Sequence, residues 1–148
     1  MYTIEVDTRR HLLRLTLEGF WQMETVRAFA ADEQAAAARL TCGAGEHLVL
    51  ADLSGFTIQS QEVVAMCKAF IDGATNSSKR LALVAGPGLA RIQYKRVMGR
   101  DHMRMFQTIA EAEAWLLEGV AAAPVETNAP ASRQGGKPEA VFKVSGRL

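Results

Sequence analysis

The residues that come closest to a catalytic pattern are Asp52-Leu53-Ser54-Gly55, which follow a short apolar run. Open α/β sheets bind ligands at the carboxyl ends of inner strands, so Asp52 and Ser54 are candidate binding residues. A nucleophilic serine on a strand-to-helix elbow is flanked by glycines, and Asp52 and Phe56 stand at those places instead. Asp52 and Ser54 are therefore predicted to form a turn in which their side chains bond nearby backbone. A hydrolase that combines them with a remote histidine is an alternative.

A glycine-rich segment, Gly86-Pro87-Gly88-Leu89-Ala90-Arg91, lies between a predicted strand and a predicted helix. This is the context of a dinucleotide-binding fingerprint, but Arg91 replaces its last glycine and no downstream acid is placed for a ribose. We predict a strand-to-helix turn in which Pro87 sets the backbone. An anion held by the amides at the helix start, with Arg91 nearby, is the alternative.

Metal-binding and redox residues are few and scattered. His11, His47 and His102 lie singly on three predicted elements, and none has a second ligand at helical metal-site spacing, so no metal site is predicted. Cys42 and Cys67 are too few and too far apart for a disulfide framework or a zinc knuckle, and reduced thiols are predicted. No cofactor is predicted.

A local basic cluster surrounds the third predicted helix and consists of Arg91, Lys95, Arg96, Arg100 and Arg104. Arg91 and Lys95 are four positions apart and share a helix face. Tyr94 alone does not make the stacking platform that single-stranded nucleic acid uses, and the net charge is only +1. Nucleic acid is therefore not predicted as a partner. A solvated face is predicted, with an acidic partner or an anionic lipid headgroup as alternatives.

Composition and length favour one globular domain that needs no membrane. The 148 residues are 49% hydrophobic and 22% charged, close to the average for such domains. No segment approaches the roughly 18 consecutive apolar residues of a membrane-spanning helix. The first residues, Met1 to Glu5, lack the basic-then-apolar order of a secretory signal. The sequence therefore predicts a cytoplasmic protein with no transmembrane segment.

The elements that position these residues follow from periodicity. Two runs of alternating apolar residues, Tyr2 to Asp7 and Leu13 to Glu18, predict an antiparallel hairpin. Continuous apolar runs predict buried strands, and helical spacing predicts helices between them. The predicted helices are Gln22 to Leu40, Ser60 to Gly73, Leu89 to Met98 and Thr108 to Gly119, and the predicted later strands are Leu48 to Ala51, Leu81 to Val84 and Met103 to Gln107. This β-β-α-β-α-β-α-β-α order predicts an α/β fold with parallel later strands.

The C-terminal segment differs from the rest of the chain. Residues 120–148 hold three of the four prolines among alanine, serine, glutamine and glycine, which is typical of a tail. The last apolar stretch, Ala140 to Val144, is predicted to add a strand to a sheet edge or to a partner. We therefore divide the chain into a domain over residues 1–119 and a tail over residues 120–148.

Three stretches make the chain similar to the SpoIIAA-like branch of the STAS superfamily, a group also described as STAS/SEC14-like. They are the strand ending in Asp52-Leu53-Ser54-Gly55, the strand and helix from Lys79 to Met98, and the segment from Met103 to Leu116. The resemblance covers roughly residues 1–119. It implies a four- or five-stranded mixed sheet with helices mainly on one face, and it implies a non-enzymatic role.

The resemblance also draws attention to Ser60. Anti-sigma-factor antagonists of this superfamily bind a partner kinase and are switched by phosphorylation of a serine that follows an aspartate and opens a helix. Ser60 matches that serine, whereas Gln59 replaces the aspartate and the motif's glycine is absent. A serine before a helix is also an ordinary N-cap, and a phosphate there would meet the positive helix end. We predict a cap, with phosphorylation of Ser60 as a hypothesis.

Two functional hypotheses follow. The first is a non-catalytic regulatory or interaction domain that binds a protein partner near Ser60 and the basic third helix. The second is a carrier of a small apolar or lipid-like ligand between the sheet and the second and third helices. Its basis is the resemblance and the cluster of Met98, Met103 and Met105, since flexible methionines suit adaptable apolar pockets. Exposed helix faces and sheet edges also allow a homodimer.

Overall fold

A computed structural model describes residues 1–43, 45–73, 78–98, 102–118 and 141–146. The helices are α1 (Met23–Ala37), α2 (Gln61–Asp72), α3 (Leu89–Lys95) and α4 (Ile109–Leu116). The strands are β1 (Tyr2–Asp7), β2 (Leu12–Gly19), β3 (Leu48–Phe56), β4 (Arg80–Val84), β5 (Met103–Phe106) and β6 (Val141–Gly146). Among these residues, no helix combines the length and apolarity that crossing a bilayer requires.

All six strands form one mixed sheet in the order β5-β4-β3-β2-β1-β6. The opening hairpin pairs β1 with β2 antiparallel, and β2, β3, β4 and β5 are neighbours in parallel. This is the predicted mixed α/β sheet. The sixth strand comes from the predicted tail and pairs antiparallel with β1, from Asp7 opposite Val141 to Tyr2 opposite Gly146. The expected C-terminal strand therefore adds to the edge of the sheet.

The helices cover the two faces of the sheet unequally, as predicted. The main core lies on the face that carries α1, α2 and α3 and includes Val26, Val63 and Tyr94 from those helices. A smaller core lies on the other face, where Ala112 and Leu116 of α4 are fully buried. Alternate residues of the inner strands therefore face two different apolar layers, which explains their continuous apolar runs.

Strand β3 is longer than the sequence predicted, and the turn expected at Asp52 and Ser54 is wrong. Thr16 pairs with Asp52, but Glu18 pairs with Gly55, so β3 holds one extra residue in a bulge. The strand continues to Phe56. Asp52 and Ser54 therefore lie within a strand, because the bulge absorbs the local bend that polar residues and glycine suggested.

Candidate functional site

An apolar cavity of about 120 Å³ lies between the sheet and the three helices α1, α2 and α3. Its walls come from three strands (β2, β3 and β4) and three helices that are distant in sequence. The strand residues that line it are Leu15, Leu17, Val49, Ala51, Leu53, Phe56, Leu81 and Leu83, and the helical apolar residues include Val26, Phe29, Val63, Val64, Phe70 and Ile71. The methionines that suggested a pocket are absent from this lining, and α1 contributes to it in addition to α2 and α3.

Aromatic rings support one wall of the cavity. Trp21 is buried, and its ring centroid lies 5.4 Å from that of Phe29 and 5.0 Å from that of Phe56. Phe56 in turn stacks on Tyr94 at 5.9 Å. Rings at these separations pack favourably, so the aromatic contacts stabilise this wall.

Glu33 of α1 is a buried acid in the lining of this cavity. Its side chain is 5% exposed, and its Oε1 has no hydrogen-bond partner among the described residues. Burial disfavours the charged form and raises the pKa of the Glu33 carboxyl from its ordinary value of 4.5 to about 7. A buried carboxyl with an oxygen that lacks a hydrogen-bond partner is costly to keep, so Glu33 is a candidate functional residue.

Two other titratable groups in the lining are held in their neutral forms by burial. Burial raises the pKa of the Cys67 thiol to about 11 and that of the Tyr94 phenol to about 12. Cys67 is therefore not an activated thiolate, and the cavity does not have the electropositive surroundings of a reactive cysteine. His102, directly before β5, also contributes to the lining.

Gln59 closes the end of the cavity near the start of α1 with its side chain. It is 5% exposed, and its Oε1 accepts a hydrogen bond from the Trp21 backbone N–H at 2.8 Å. Its Nε2 donates to the carbonyl oxygens of Gly19 at 2.9 Å and Thr57 at 2.7 Å. One amide side chain thus joins the entry of α1 to the ends of β2 and β3.

Short helix α3 is fixed to the rest of the domain by side chains. Gln93 accepts from the backbone N–H of Gln59 and donates to its carbonyl oxygen, both at 2.9 Å. The hydroxyl group of Tyr94 donates to the carbonyl oxygen of Phe56. The Arg91 guanidinium donates to the carbonyl oxygen of Ala85 at 2.7 Å. These bonds hold α3 over the cavity.

Arg91 therefore has a structural role, and the anion-binding alternative considered from the sequence stays a prediction. The helix that follows the glycine-rich turn has only seven residues. Gly88 before it has φ +131°, a conformation that side chains rarely adopt, so glycine is needed there to make the turn. The segment is a strand-to-helix turn, as predicted.

Asp52 and Ser54 bond to each other and not to a histidine. Asp52 Oδ1 accepts from the Ser54 backbone N–H at 3.0 Å and from its hydroxyl group at 2.7 Å. His11, His47 and His102 directly precede β2, β3 and β5, at the opposite end of these parallel strands. At about 3.3 Å per residue, His47 and Ser54 are roughly 23 Å apart along β3. The structure does not assemble the serine, aspartate and histidine of the hydrolase hypothesis.

Ser60 is the N-cap of α2, and this prediction is confirmed. Its backbone is extended, with φ −67° and ψ 159°, and its Oγ accepts a hydrogen bond from the Val63 N–H at 3.2 Å. That bond satisfies one of the unpaired amides at the helix start. Phosphorylation of Ser60 stays a prediction.

The basic residues grouped in the sequence differ in their surroundings. Lys95 and Arg96 are exposed at the end of α3, whereas Arg91 bonds within the domain. Arg104 lies over the ring of Trp115 at 5.6 Å, next to helix α4. Arg100 lies outside the described residues. The predicted shared face of Arg91 and Lys95 is therefore only partly available to a partner.

Glu33 and Gln59 are two of the polar residues that line the cavity, and the sequence patterns identified neither as a site residue. A signal existed for Glu33, because it lies four positions after Phe29 on the predicted apolar stripe of the first helix. Gln59 carries no comparable signal, since its partners lie up to 40 positions away in the chain. Within the described residues, no group of three or more acidic, histidine or cysteine side chains is arranged for a metal ion.

A mixed sheet with three helices on one face, a fourth on the other and an apolar cavity under the three defines the structural class. The chain matches no family model and no curated protein. It is similar to the crystal structure of an uncharacterised DUF3478-family protein with a SpoIIAA-like fold from Shewanella loihica PV-4. The TM-score is 0.54 at 18% identity, over 71% of this chain and 83% of that chain. The chain therefore has the SpoIIAA-like fold that the sequence predicted.

Proposed function

We propose that this domain is a non-catalytic binding module that holds a small apolar molecule in the cavity beneath α1, α2 and α3. The observation that supports this function best is the cavity itself, enclosed mainly by aliphatic and aromatic side chains. Ligand sites are typically concave, mostly apolar and equipped with a few polar groups, and this cavity combines those features.

The volume limits the size of the molecule. A cavity of about 150 Å³ lined by apolar side chains holds benzene in another protein, whereas sites for drug-sized ligands span roughly 300–1,000 Å³. The 120 Å³ here is thus suited to a molecule of about one ring, or to a short branched chain. An unfilled cavity costs about 24 cal/mol per Å³, or about 3 kcal/mol at this volume. A ligand that fills the cavity recovers part of that energy.

Two buried alanines on neighbouring strands provide a matched test of this proposal. Ala51 on β3 lines the cavity, and Ala82 on β4 faces the small core under α4. We expect Ala51→Leu to fill the cavity, weaken toluene binding at least tenfold and change the free energy of unfolding by less than about 1 kcal/mol. Ala82→Leu is expected to overpack its core, cost about 1–3 kcal/mol and leave toluene binding unchanged.

The measurements are toluene titration by calorimetry or NMR and denaturant unfolding of both variants. Failure of the wild-type protein to bind toluene contradicts the proposed function. Equal weakening by both leucine substitutions also contradicts it, because the effect would then not come from the cavity.

A second candidate function, binding of a protein partner, has its own support on the surface. Phe20, Ile58, Leu89 and Ile92 are 58%, 48%, 70% and 55% exposed, and we call them the exposed apolar patch. The Thr57 N–H donates to Gly19 at 3.3 Å, and Gln59 bonds Gln93, so the segments that carry the patch are held side by side. Exposed apolar side chains that lie together are typical of interaction sites. Lys95 and Arg96 adjoin the patch, which favours a partner with an acidic rim.

The double variant Leu89→Asp/Ile92→Asp is expected to abolish specific cross-linking to such a partner. Ile109→Asp is the matched control, since Ile109 is 43% exposed on α4, across the sheet from α3. Quantitative mass spectrometry of cross-linked complexes measures the outcome. A partner retained by the control and lost by the double variant supports the candidate, and a partner retained by all three proteins contradicts it. If the double variant loses binding to anionic vesicles but keeps its protein partner, the candidate is also contradicted, because the patch would then recognise a membrane surface.

Three further expectations stay predictions: a cytoplasmic location, a homodimer and the boundary after residue 119. The sheet edges are formed by β5 and β6, so a homodimer through β-strand addition would use one of those strands.

A further inference from the structure

We propose that Glu33 anchors a ligand that combines a small apolar body with one uncharged hydrogen-bonding group, in particular a hydroxyl group. This inference rests on the proposed function and names the chemical class of molecule that the cavity selects.

The geometry of the lining supports this assignment. Glu33 is 5% exposed, and its buried Oε1 lacks a partner in the described part of the chain. The amides of Gln59 and Gln93 and the hydroxyl group of Tyr94 also line the cavity, but each already bonds within the protein. Glu33 therefore offers bonding capacity toward the cavity that these neighbours have already used.

The chemistry of a buried carboxyl further restricts the polar group that the ligand can carry. Burial keeps Glu33 protonated to higher pH than an exposed glutamate, and a carboxylic acid both donates and accepts hydrogen bonds. A hydroxyl group does the same, so the two groups complement each other without net charge. A pure hydrocarbon leaves Oε1 unpaired. An ammonium group requires a buried ion pair, whose desolvation cost offsets much of its attraction.

The apolar side chains around Glu33 also restrict which ligands the cavity can bind. Phe29, one turn before Glu33 on α1, and Val63, Cys67 and Phe70 on α2 contribute apolar groups to the same cavity. A ligand must therefore bury its apolar body against these side chains while its polar group reaches the carboxyl. The combination excludes small polar metabolites, because their remaining polar groups would be buried without partners.

Phenol and toluene test the proposal, since they have the same shape and differ in a hydroxyl group against a methyl group. We expect the ratio of phenol affinity to toluene affinity to fall about tenfold in Glu33→Met relative to the wild-type protein. Glu33→Gln is expected to retain most of the ratio, because an amide also donates and accepts. Toluene binding to Glu33→Met shows that the variant is folded and keeps its cavity.

The outcomes separate this inference from the proposed function. An unchanged phenol-to-toluene ratio in Glu33→Met overturns the role of Glu33, while toluene binding still supports the cavity as a ligand site. Benzylammonium binding the wild-type protein more tightly than phenol also overturns the inference, because Glu33 would then act as a carboxylate. Absence of toluene binding to every variant overturns the proposed function as well.

Discussion

Replacing Gln59 with leucine is expected to lower the free energy of unfolding by about 3 kcal/mol. The substitution removes the acceptor of the Trp21 N–H and the donor to the Gly19 and Thr57 carbonyl oxygens. The Gly19 carbonyl oxygen still accepts a hydrogen bond from the Thr57 N–H. The largest cost therefore comes from the Trp21 backbone N–H, which is left without a partner in a buried position. Denaturant unfolding measures the loss.

The control for this experiment is Gln61→Leu, two positions further along the chain. Gln61 is exposed in the first turn of α2, so its replacement is expected to change stability by less than about 0.5 kcal/mol. A loss in Gln59→Leu no larger than in Gln61→Leu would show that the bridging role of Gln59 is wrong.

Replacing Glu33 with glutamine is expected to change how stability depends on pH. The folded-state pKa of Glu33 is raised from 4.5 to about 7, so the native protein holds this proton more tightly than the unfolded chain does. Stability from this group is therefore complete in acid, is lost as pH rises from 4.5 to about 7, and stays constant above that range. At 1.36 kcal/mol per pH unit, the wild-type protein is expected to lose about 3 kcal/mol relative to Glu33→Gln.

The measured quantity is the difference in stability between the wild-type protein and Glu33→Gln at each pH. A difference is needed because a second buried group, His47, changes stability with pH in the opposite direction. His47 is buried, and its Nε2 lacks a partner among the described residues. Burial lowers the pKa of His47, so its contribution to stability is lost as pH falls below its ordinary value of 6.5. That contribution is the same in both proteins and cancels in the difference.

Two controls isolate the carboxyl of Glu33. Glu24→Gln removes an exposed carboxyl from the same helix and controls for the loss of one acidic group. His102→Gln removes the histidine that shares the cavity, and the effect of Glu33→Gln is expected to persist in that background. A stability difference that stays flat from about pH 4 to about pH 9 would contradict the burial of an ionisable Glu33.

Local patterns were sufficient to predict much of the fold. Alternation in Tyr2 to Asp7 and Leu13 to Glu18 identified the hairpin, and Ser60 and Thr108 identified two helix starts, each confirmed by a hydroxyl oxygen that accepts an amide hydrogen bond. These features involve residues within a few positions of each other. Periodicity and capping chemistry therefore express them directly in the sequence.

The bulge at Asp52 to Gly55 shows where local patterns mislead. Aspartate, serine and glycine in succession favour a turn, and their local hydrogen bonds do form. Asp52 is still paired with β2 and β4, and Gly55 is still paired with β2, so the segment stays in the sheet. Pairing with distant strands outweighed the local preference, and no pattern within β3 reveals those partners.

The sequence by itself determined the order of strands and helices and the cap at Ser60, because these depend on neighbouring residues. The SpoIIAA-like fold was implied by the family resemblance and agrees with the similar crystal structure. Only the tertiary structure decided that a cavity exists, that Glu33 faces it and that Gln59 bridges its end. The volume of the cavity is a small difference between the large packed volumes of the sheet and three helices. Whether a polar side chain is buried and paired depends on the residues that pack around it. Both properties arise from contacts between residues that are far apart in the chain.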